Sequence, residues 1–509
     1  MNENGRIQNS IKNTLIGVSV QILSVLLSFI TRIIFVRSLS EEYLGVNGLF
    51  TNILTVLSLA ELGVGTAIIY SLYLSVAQKN EKEIAELLNF YKKAYLIIGC
   101  VITVVGVLIA PFLDIFIKDA PNIPNLHIIY LMFVANSSCS YLFAYRRSIF
   151  LADQREYVLS EYRLFFIILK AVGQCMSLLF TKNFYYYLLV QIVCTLCENI
   201  CIHVKTLKYY PFLKEYKKAV LSKQKVHSIQ TDIKALMIYK IGSTALDGTD
   251  NIILSMFVGV VSVGKLSNYT LIVSAVAMVT SQILNSITAS VGNFIAKESS
   301  ERHEELLFKI TFMSFFIYGF SFVALSCLMS PFIQLIFGIN YILTKSEVFI
   351  CSLNFYIFGM MNSIWTFRTT MGLFTHGRYR PLVSAMINII VSVILARYIG
   401  LLGVLLGTTI TRLVTNVWYD PYIVYKYGVK KSAVKYYRLW MKYLALSLIS
   451  IVISQRLIHF LPELDIFVFF IECFICIGVF FSTLYFATSK CEEFLFFKKL
   501  VKGQVKKYF

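Results

Sequence analysis

The sequence predicts an all-α polytopic membrane protein with about 14 transmembrane helices. Three observations lead to this prediction: 57% of the 509 residues are hydrophobic, only 15% are charged, and the apolar residues occur in long blocks. A soluble globular chain carries about 25% charged residues and about 45–50% apolar ones. The composition therefore excludes a multidomain soluble enzyme and a disordered or fibrous protein.

Fourteen apolar blocks are long enough to be membrane spans, since a helix needs about 20 apolar residues to cross the hydrocarbon core of about 30 Å. They occur at 13–36, 44–76, 94–117, 126–145, 158–180, 184–203, 235–258, 266–296, 307–336, 348–374, 382–399, 401–425, 439–461 and 466–487. The second and eighth blocks exceed one crossing, which predicts an extension or a tilt. The first block is too long for a cleavable signal peptide.

The distribution of Lys and Arg predicts the orientation of the chain. An even number of spans places both termini on one side. With that side taken as cytoplasmic, the inner loops and tails hold 35 of the 47 basic residues and the outer loops hold seven. Cytoplasmic loops of membrane proteins carry such an excess. Topology and anionic lipid headgroups therefore explain the net charge of +19, and we expect no nucleic acid as a partner.

Cysteine and histidine usage predicts no cofactor. The 11 Cys are scattered, mostly within apolar blocks, without the neighbouring His or second CxxC that a zinc site needs. Free Cys packs as a small hydrophobic side chain, so we expect no disulfide and no metal. The sequence has no Walker A loop, which argues against ATP hydrolysis by this chain.

An internal repeat organises the chain. A shift of 219 residues places Gly45 on Gly264 and Thr51 on Thr270 without a gap. Because six spans per repeat is an even number, the two copies share one orientation, as in transporters built from parallel repeats. We expect two parallel six-helix bundles around a central cavity, followed by a helix pair. The predicted boundaries are 1–204 for the first bundle, 205–234 for a basic cytoplasmic loop, 235–425 for the second bundle, and 426–509 for the helix pair and basic tail.

Polar residues inside the spans are the candidate site residues, because a charge at a helix centre costs about 2.5–3.5 kcal/mol on insertion scales. One face of the first span carries four of them, at Gln21, Ser24, Ser28 and Arg32. The seventh span repeats this spacing, with Asp250 beside it, at Lys240, Ser243, Asp247 and Asn251. Since the 219-residue shift superposes the two stripes, they predict the lining of a central aqueous pathway.

Each candidate also has a structural interpretation. Arg32 lies near the outer end of its span, where its side chain can snorkel to the headgroups. Asp247 and Asp250 either neutralise Lys240 or Arg32, or bind substrate or ions. Glu61 lies deep in the second span, which favours a cavity residue or a proton or cation site.

A second repeat match, at an offset of 222 to 224, aligns 145–157 with 367–380. It makes Arg146 and Arg368 the ends of equivalent spans on the inner side. There the two arginines either bind phosphate or follow the positive-inside pattern.

Three segments resemble a known family. Asn13-Thr14-Leu15 opens the first span, LSLAELGVGTAI at 57–68 lies in the second, and ADQREY at 152–157 follows the fourth. Together with the span number and the repeat, these segments are similar to the bacterial polysaccharide repeat-unit flippases. That family acts in O-antigen and capsule or exopolysaccharide assembly, within the multidrug/oligosaccharidyl-lipid/polysaccharide exporter superfamily.

The resemblance implies a transporter, not an enzyme, in the bacterial cytoplasmic (inner) membrane. It would flip an undecaprenyl-pyrophosphate-linked oligosaccharide repeat unit from the inner to the outer leaflet by alternating access. Arg32 would be among the cations that hold the diphosphate. The implied partners are this polyprenyl-pyrophosphate oligosaccharide, membrane lipids, and the polysaccharide polymerase and glycosyltransferases of the same pathway.

Two alternatives stay open. A multidrug or organic-cation antiporter of the same superfamily would share the architecture and need an anionic cavity. A multi-span polysaccharide polymerase would need a large outer loop or domain, whereas the predicted outer loops here are about ten residues or fewer.

Overall fold

The computed structural model describes residues 3–61, 64–118, 121, 123–227, 229–230, 233, 248–285, 287–373, 376–377 and 379–501. Within these ranges all regular elements are helices and no strand occurs. Eleven of the helices are long and apolar enough to cross a membrane. The chain is an all-α polytopic membrane protein, as its apolar blocks predict.

The chain divides into two compact units, Met1–Gly264 and Lys265–Phe509. The α-helices of the first unit are α1 (Glu3–Ser38), α2 (Glu41–Leu57), α3 (Val64–Ala77), α4 (Glu81–Ile109), α5 (Leu113–Phe116), α6 (Leu126–Tyr141), α7 (Arg147–Ala152), α8 (Glu156–Thr181), α9 (Phe184–Tyr209), α10 (Phe212–Glu215) and α11 (Asp250–Phe257). The unit boundary falls inside α12 (Val260–Asn285). The predicted division into 1–204, 205–234, 235–425 and 426–509 stays a prediction.

The second unit continues along α12. Its further α-helices are α13 (Thr288–Lys297), α14 (Ser300–Phe337), α15 (Lys345–Met360), α16 (Asn362–Thr370), α17 (Arg380–Arg412), α18 (Tyr419–Ile423), α19 (Val434–Ile458), α20 (Ile466–Thr488) and α21 (Glu492–Val501). Two π-helical turns, Leu413–Val417 and Val424–Val429, extend α17 and α18.

The difference between 11 candidate spans and 14 predicted ones has three sources. One apolar stretch, Arg380–Val429, folds back on itself and contains two crossings. The predicted span 44–76 is interrupted between α2 and α3 by the 3₁₀ turn Ser58–Glu61. Most of the predicted span 235–258 lies outside the described residues, which resume at 248.

The fold-back inside α17 occurs at Ile399 and Gly400, whose backbone angles are not helical. Gly400 has a φ of +59°, which a residue with a Cβ rarely adopts. The two arms then run antiparallel, since Asn388 donates a hydrogen bond to the Thr408 hydroxyl at 3.1 Å. This turn reproduces the predicted pair of spans at 382–399 and 401–425.

The internal repeat is visible in where the helices begin. Three later helices begin 219 residues after an earlier one, since α12 follows α2, α14 follows α4 and α15 follows α6 at this spacing. The offset then grows to 224 residues between α8 and α17. At the intermediate offset of 223, Gln154 and Gly377 both have positive φ, at 59° and 74°.

In the first unit, α1 packs along α8 and α8 along α9, while α6 lies against both α4 and α9. The basic connector after α9 is docked on the end of α4. Asn89 donates hydrogen bonds to the carbonyls of Tyr216 at 3.1 Å and Ala219 at 3.0 Å. Tyr210 donates a hydrogen bond to Asp153 at 2.8 Å. Burial of the phenol, and to a smaller extent the charge of this carboxylate, raises the pKa of Tyr210 above its ordinary value.

In the second unit, α14 packs against α15, α19, α20 and α21. Its core is aromatic. Phe315 stacks on Tyr443 of α19 with ring centroids 4.2 Å apart, and Phe312 contacts Phe494 and Phe497 of α21. The C-terminal helices are therefore packed into this unit through stacked and edge-to-face rings.

Candidate functional site

The predicted site residues lie on several different elements. Gln21 and Arg32 lie on α1, Glu61 in the 3₁₀ turn after α2, Arg146 in the 3₁₀ turn before α7, Asp250 at the start of α11, and Arg368 on α16. Lys240 and Asp247 lie outside the described residues. Two well-defined clusters form, one around Glu61 and one around Arg368.

The first cluster is a carboxylate held by three tyrosines, which we call the Glu61 cluster (Glu61, Tyr91, Tyr95 and Tyr141). Tyr95 donates a hydrogen bond to Oε1 of Glu61, and Tyr141 donates one to Oε2 at 3.3 Å. Tyr91 donates in turn to the Tyr95 hydroxyl at 2.8 Å. The tyrosines are buried, whereas Glu61 is half-buried. The carboxylate is thus oriented by phenols and still reachable.

The helix interruption makes room for this cluster. A Cβ on Gly65, at the start of α3, would lie 2.8 Å from Oη of Tyr91 and 3.5 Å from Oε1 of Glu61. A larger residue would therefore displace the phenol chain. The phenols fix the orientation of the carboxylate by donating hydrogen bonds to both of its oxygens.

The predicted polar stripe on α1 lies on a partly exposed face of the helix. Gln21 and Ser28 are exposed, and Arg32 is half-buried. Arg32 lies close enough to Tyr187 of α9 for electrostatic interaction. The flank of the stripe is buried, with Thr31 against Cys175 of α8. A polar face left uncovered on a membrane helix is consistent with a pathway lining.

Arg146 and Arg147 are adjacent in the chain but have different surroundings. Arg147 forms an ion pair with Glu198 of α9 at 2.8 Å and a hydrogen bond with Asn199 at 3.0 Å. The Arg146 guanidinium lies over the Tyr145 ring, 5.0 Å from its centroid. Sequence reasoning singled out Arg146, whereas Arg147 is the residue that joins α7 to α9.

The second cluster surrounds Asp420, which the sequence analysis did not single out. We call it the Asp420 cluster (Trp365, Arg368, Arg380 and Asp420). The fully buried carboxylate accepts hydrogen bonds from Arg368 at 2.7 Å and from the Trp365 indole at 2.9 Å. Arg380 forms an ion pair with it at 3.3 Å. An acid inside the apolar block 401–425 was the available signal for this residue.

The Asp420 cluster positions the loop between α16 and α17. Arg368 donates to the carbonyls of Leu373 at 3.3 Å and of His376. Beside it lies a pocket of about 560 Å³ that is mostly apolar. It is lined by Gly377, Tyr379, Arg380, Val383, Ile387, Val414, Thr415, Trp418 and Tyr419. Arg368 therefore pairs with a buried carboxylate and holds the loop after α16.

Metal binding finds no support in the part of the chain that the structure describes. No group of three or more His, Cys, Asp or Glu side chains there is arranged to hold an ion. The two clusters offer hydrogen bonding and charge pairing.

Comparisons with solved structures place this fold among known transporters. The chain is similar to the lipid II flippase MurJ in an inward closed conformation, with a TM-score of 0.69 and 15% identity over 96% of this chain and 100% of that one. It is also similar to an inward-facing multidrug resistance MATE family transporter of the MOP superfamily, with a TM-score of 0.62 and 13% identity over 82% and 99% of the two chains. A MATE transporter from Vibrio cholerae matches with a TM-score of 0.55 and 12% identity over 84% and 99%.

These identities are low, so the similarity concerns the fold alone. A comparison with curated protein sequences finds no match. The family model for polysaccharide biosynthesis protein matches residues 10–291, more than half of the chain. The chain therefore belongs to the polysaccharide biosynthesis protein family.

Proposed function

We propose that this protein flips an undecaprenyl-pyrophosphate-linked oligosaccharide repeat unit from the inner to the outer leaflet for polysaccharide export. The observation that carries the proposal is the family match over residues 10–291 on a fold similar to a lipid II flippase along 96% of the chain. Alternating access between two repeats is the proposed mechanism. We place the protein in the bacterial cytoplasmic membrane with both termini inside, following the 35-to-7 division of basic residues.

The physical requirement for such a protein comes from the headgroup. A diphosphate and several sugars cannot enter the hydrocarbon core without partners, because an isolated buried charge costs many times the thermal energy. A cavity lined by polar side chains replaces the water that the headgroup loses, while the polyprenyl tail stays in lipid. The uncovered polar face of α1 is suited to this task.

Each candidate residue has a proposed role. Arg32, with Lys240 in the equivalent stripe, is proposed to hold the diphosphate, and Gln21 to contact sugars. Asp247 and Asp250 balance these cations or bind a coupling ion. Arg146, with its guanidinium over the Tyr145 ring, is proposed to meet phosphate at the inner side. Arg368 is proposed to position the loop after α16, because it already pairs with Asp420.

Glu61 is the proposed coupling residue. Its carboxylate is half-buried and accepts hydrogen bonds from two buried tyrosines, one on α4 and one on α6. A change in the charge of Glu61 therefore changes its contacts with both helices. Neutralising Glu61 removes the acceptor that the phenols share, which changes how α3, α4 and α6 pack. This is a route by which ion binding could drive a change of state.

The test of the flippase proposal is the leaflet that holds the lipid-linked oligosaccharide in cells lacking the gene, read with a membrane-impermeant probe. We expect single repeat units to accumulate on the inner face, with no surface polymer. Complementation by the wild type should restore surface polymer, and complementation by Arg32→Ala should not. The control is Lys345→Ala, which also removes a cation and should restore polymer. Single units that reach the outer face unpolymerised would instead indicate a polymerase.

An organic-cation antiporter is the second candidate, favoured by one observation. A carboxylate surrounded by aromatic rings, as in the Glu61 cluster, is a suitable environment for a cation. In proteoliposomes, proton-driven uptake of a cationic dye that Glu61→Gln abolishes would support this candidate. Unchanged oligosaccharide pools in the deletion strain would then exclude the flippase.

A further inference from the structure

The buried face of α19 consists almost entirely of hydrogen-bonding side chains. Its buried residues are Tyr436, Trp440, Tyr443, Ser447, Ser450, Ile451 and Ser454. Only one of these seven is aliphatic. At a rise of about 1.5 Å per residue, the face extends for about 27 Å, close to the hydrocarbon thickness of about 30 Å. A polar face of this length inside a membrane protein is costly and therefore points to a role.

Neighbouring helices add hydroxyl groups to this face. The Ser450 hydroxyl lies 2.6 Å from that of Thr483 on α20. The Tyr356 hydroxyl of α15 lies beside Ser447, and Ser363 of α16 lies beside Tyr436. We call this set of side chains, together with the face of α19, the α19 track.

A carboxylate lies at one end of the track. Glu472 on α20 is only 5% exposed, and its Oε2 has no hydrogen-bond partner. It is six residues from the start of α20, roughly 9 Å into the helix. The Cys476 thiol, one turn further along, lies between Ser454 of α19 and Cys327 of α14.

The surroundings of Glu472 contain no compensating charge among the residues that the structure describes. The titratable groups that face it are thiols: Cys327 from α14, and Cys473 and Cys476 from its own helix. From α19, the Ser454 hydroxyl lies beside Cys476, which in turn interacts electrostatically with Glu472. An ionised carboxylate without a cationic partner is strongly disfavoured in such a place, which favours the proton-bearing form.

Two buried polar atoms near the track have no hydrogen-bond partner among the residues that the structure describes. They are Oε2 of Glu472 and Nε1 of Trp440. Buried polar atoms are nearly always paired, with ordered water where protein groups do not suffice. These two atoms therefore favour ordered water beside the α19 track over a dry helix contact.

We propose that Glu472 is a proton-binding site of the C-terminal helices, in exchange with water along the α19 track. In the binding step the Glu472 carboxylate takes a proton from a hydronium ion, which forms the carboxylic acid and leaves water. Release is the reverse reaction. The site lies entirely within the second unit, and the proposal does not depend on which substrate the protein carries.

The experiment is infrared spectroscopy of the purified full-length protein in lipid nanodiscs near neutral pH. The wild type should show the carbonyl band of a protonated carboxylic acid that Glu472→Gln lacks. Glu463→Gln is the matched control, because Glu463 is an exposed carboxylate in the loop before α20; this change should remove only ionised-carboxylate absorbance. A wild-type spectrum without the acid band would overturn proton binding.

Exchange along the track is tested by transfer into deuterated buffer. The acid band should shift within minutes, and Ser454→Val should slow that shift by about tenfold, which corresponds to a barrier higher by about 1.4 kcal/mol. A band that fails to shift over hours would overturn the hydrated path and leave a trapped structural proton. If Glu472→Gln does not fold, wild-type Glu472 can be labelled with a hydrophobic carbodiimide. That reagent needs a protonated carboxyl, so labelling also reports the bound proton. Unlabelled Glu472 would contradict the proposal.

Discussion

Replacing Asp420 by Ala tests whether the Asp420 cluster stabilises the second unit. The carboxylate is fully buried and is shared by two guanidinium groups and one indole, at 2.7 Å, 3.3 Å and 2.9 Å. Removing one partner of a buried ion pair costs about 3–5 kcal/mol, because the charges that remain are uncompensated. An indole left without an acceptor costs about 1–3 kcal/mol.

These two costs overlap, because the loop that Arg368 holds can relax once the carboxylate is gone. We therefore expect Asp420→Ala to lower the free energy of unfolding by about 4 kcal/mol. Asp420→Asn should fall between this variant and the wild type, since its amide oxygen still accepts from Trp365. The assay is equilibrium unfolding of the purified protein in mixed micelles, followed by tryptophan fluorescence and circular dichroism.

The control is Asp114→Ala in α5, an exposed aspartate for which we expect a change within about 0.5 kcal/mol. A loss of less than about 1 kcal/mol in Asp420→Ala would refute the reasoning, because that is the size expected of an exposed pair. A double-mutant cycle with Arg368→Leu should show a coupling of about 0.5–3 kcal/mol between the two residues.

Three further outcomes can be measured on the same preparation or in complemented cells. Glu61→Gln should keep the free energy of unfolding within about 1 kcal/mol of the wild-type value, since the amide still pairs with the phenols. The same change should abolish polymer export, and normal export would exclude a coupling role for Glu61. Gly407→Ala should destabilise by about 1–3 kcal/mol, because its Cβ would lie 2.2 Å from a facing side chain, while Gly478→Ala, with open space around it, should be neutral or stabilising. Arg147→Met should destabilise by about 1 kcal/mol, because the Arg147 side chain is partly exposed, and Glu198→Gln should recover part of that loss when combined with it.

The membrane spans are the part of the fold that could be read from the sequence. The predicted pair at 382–399 and 401–425 is present as the two arms of α17, with the turn at Gly400. The repeat was detected from a few aligned residues, and the helices begin at the same 219-residue offset. What the apolar pattern did not reveal is the interruption of the second span at Ser58–Glu61, since a 3₁₀ turn leaves hydropathy unchanged.

The candidate sites were only half predictable. Glu61 is visible in the sequence because a carboxylate deep in an apolar block is costly there. Its partners are not visible, since Tyr95 and Tyr141 lie 34 and 80 positions away in the chain. Asp420 was missed although it also lies in an apolar block.

The sequence by itself determined the class of protein, the membrane spans, the expected orientation and the repeat. Each of these depends on local composition, because transfer of a segment into the bilayer is governed by the residues within that segment. Only the tertiary structure decided which charges are paired: Arg368 with Asp420, Arg147 with Glu198, and Glu61 with its tyrosines. Such pairs join residues far apart in the chain, and their geometry comes from helix packing, which hydropathy does not encode.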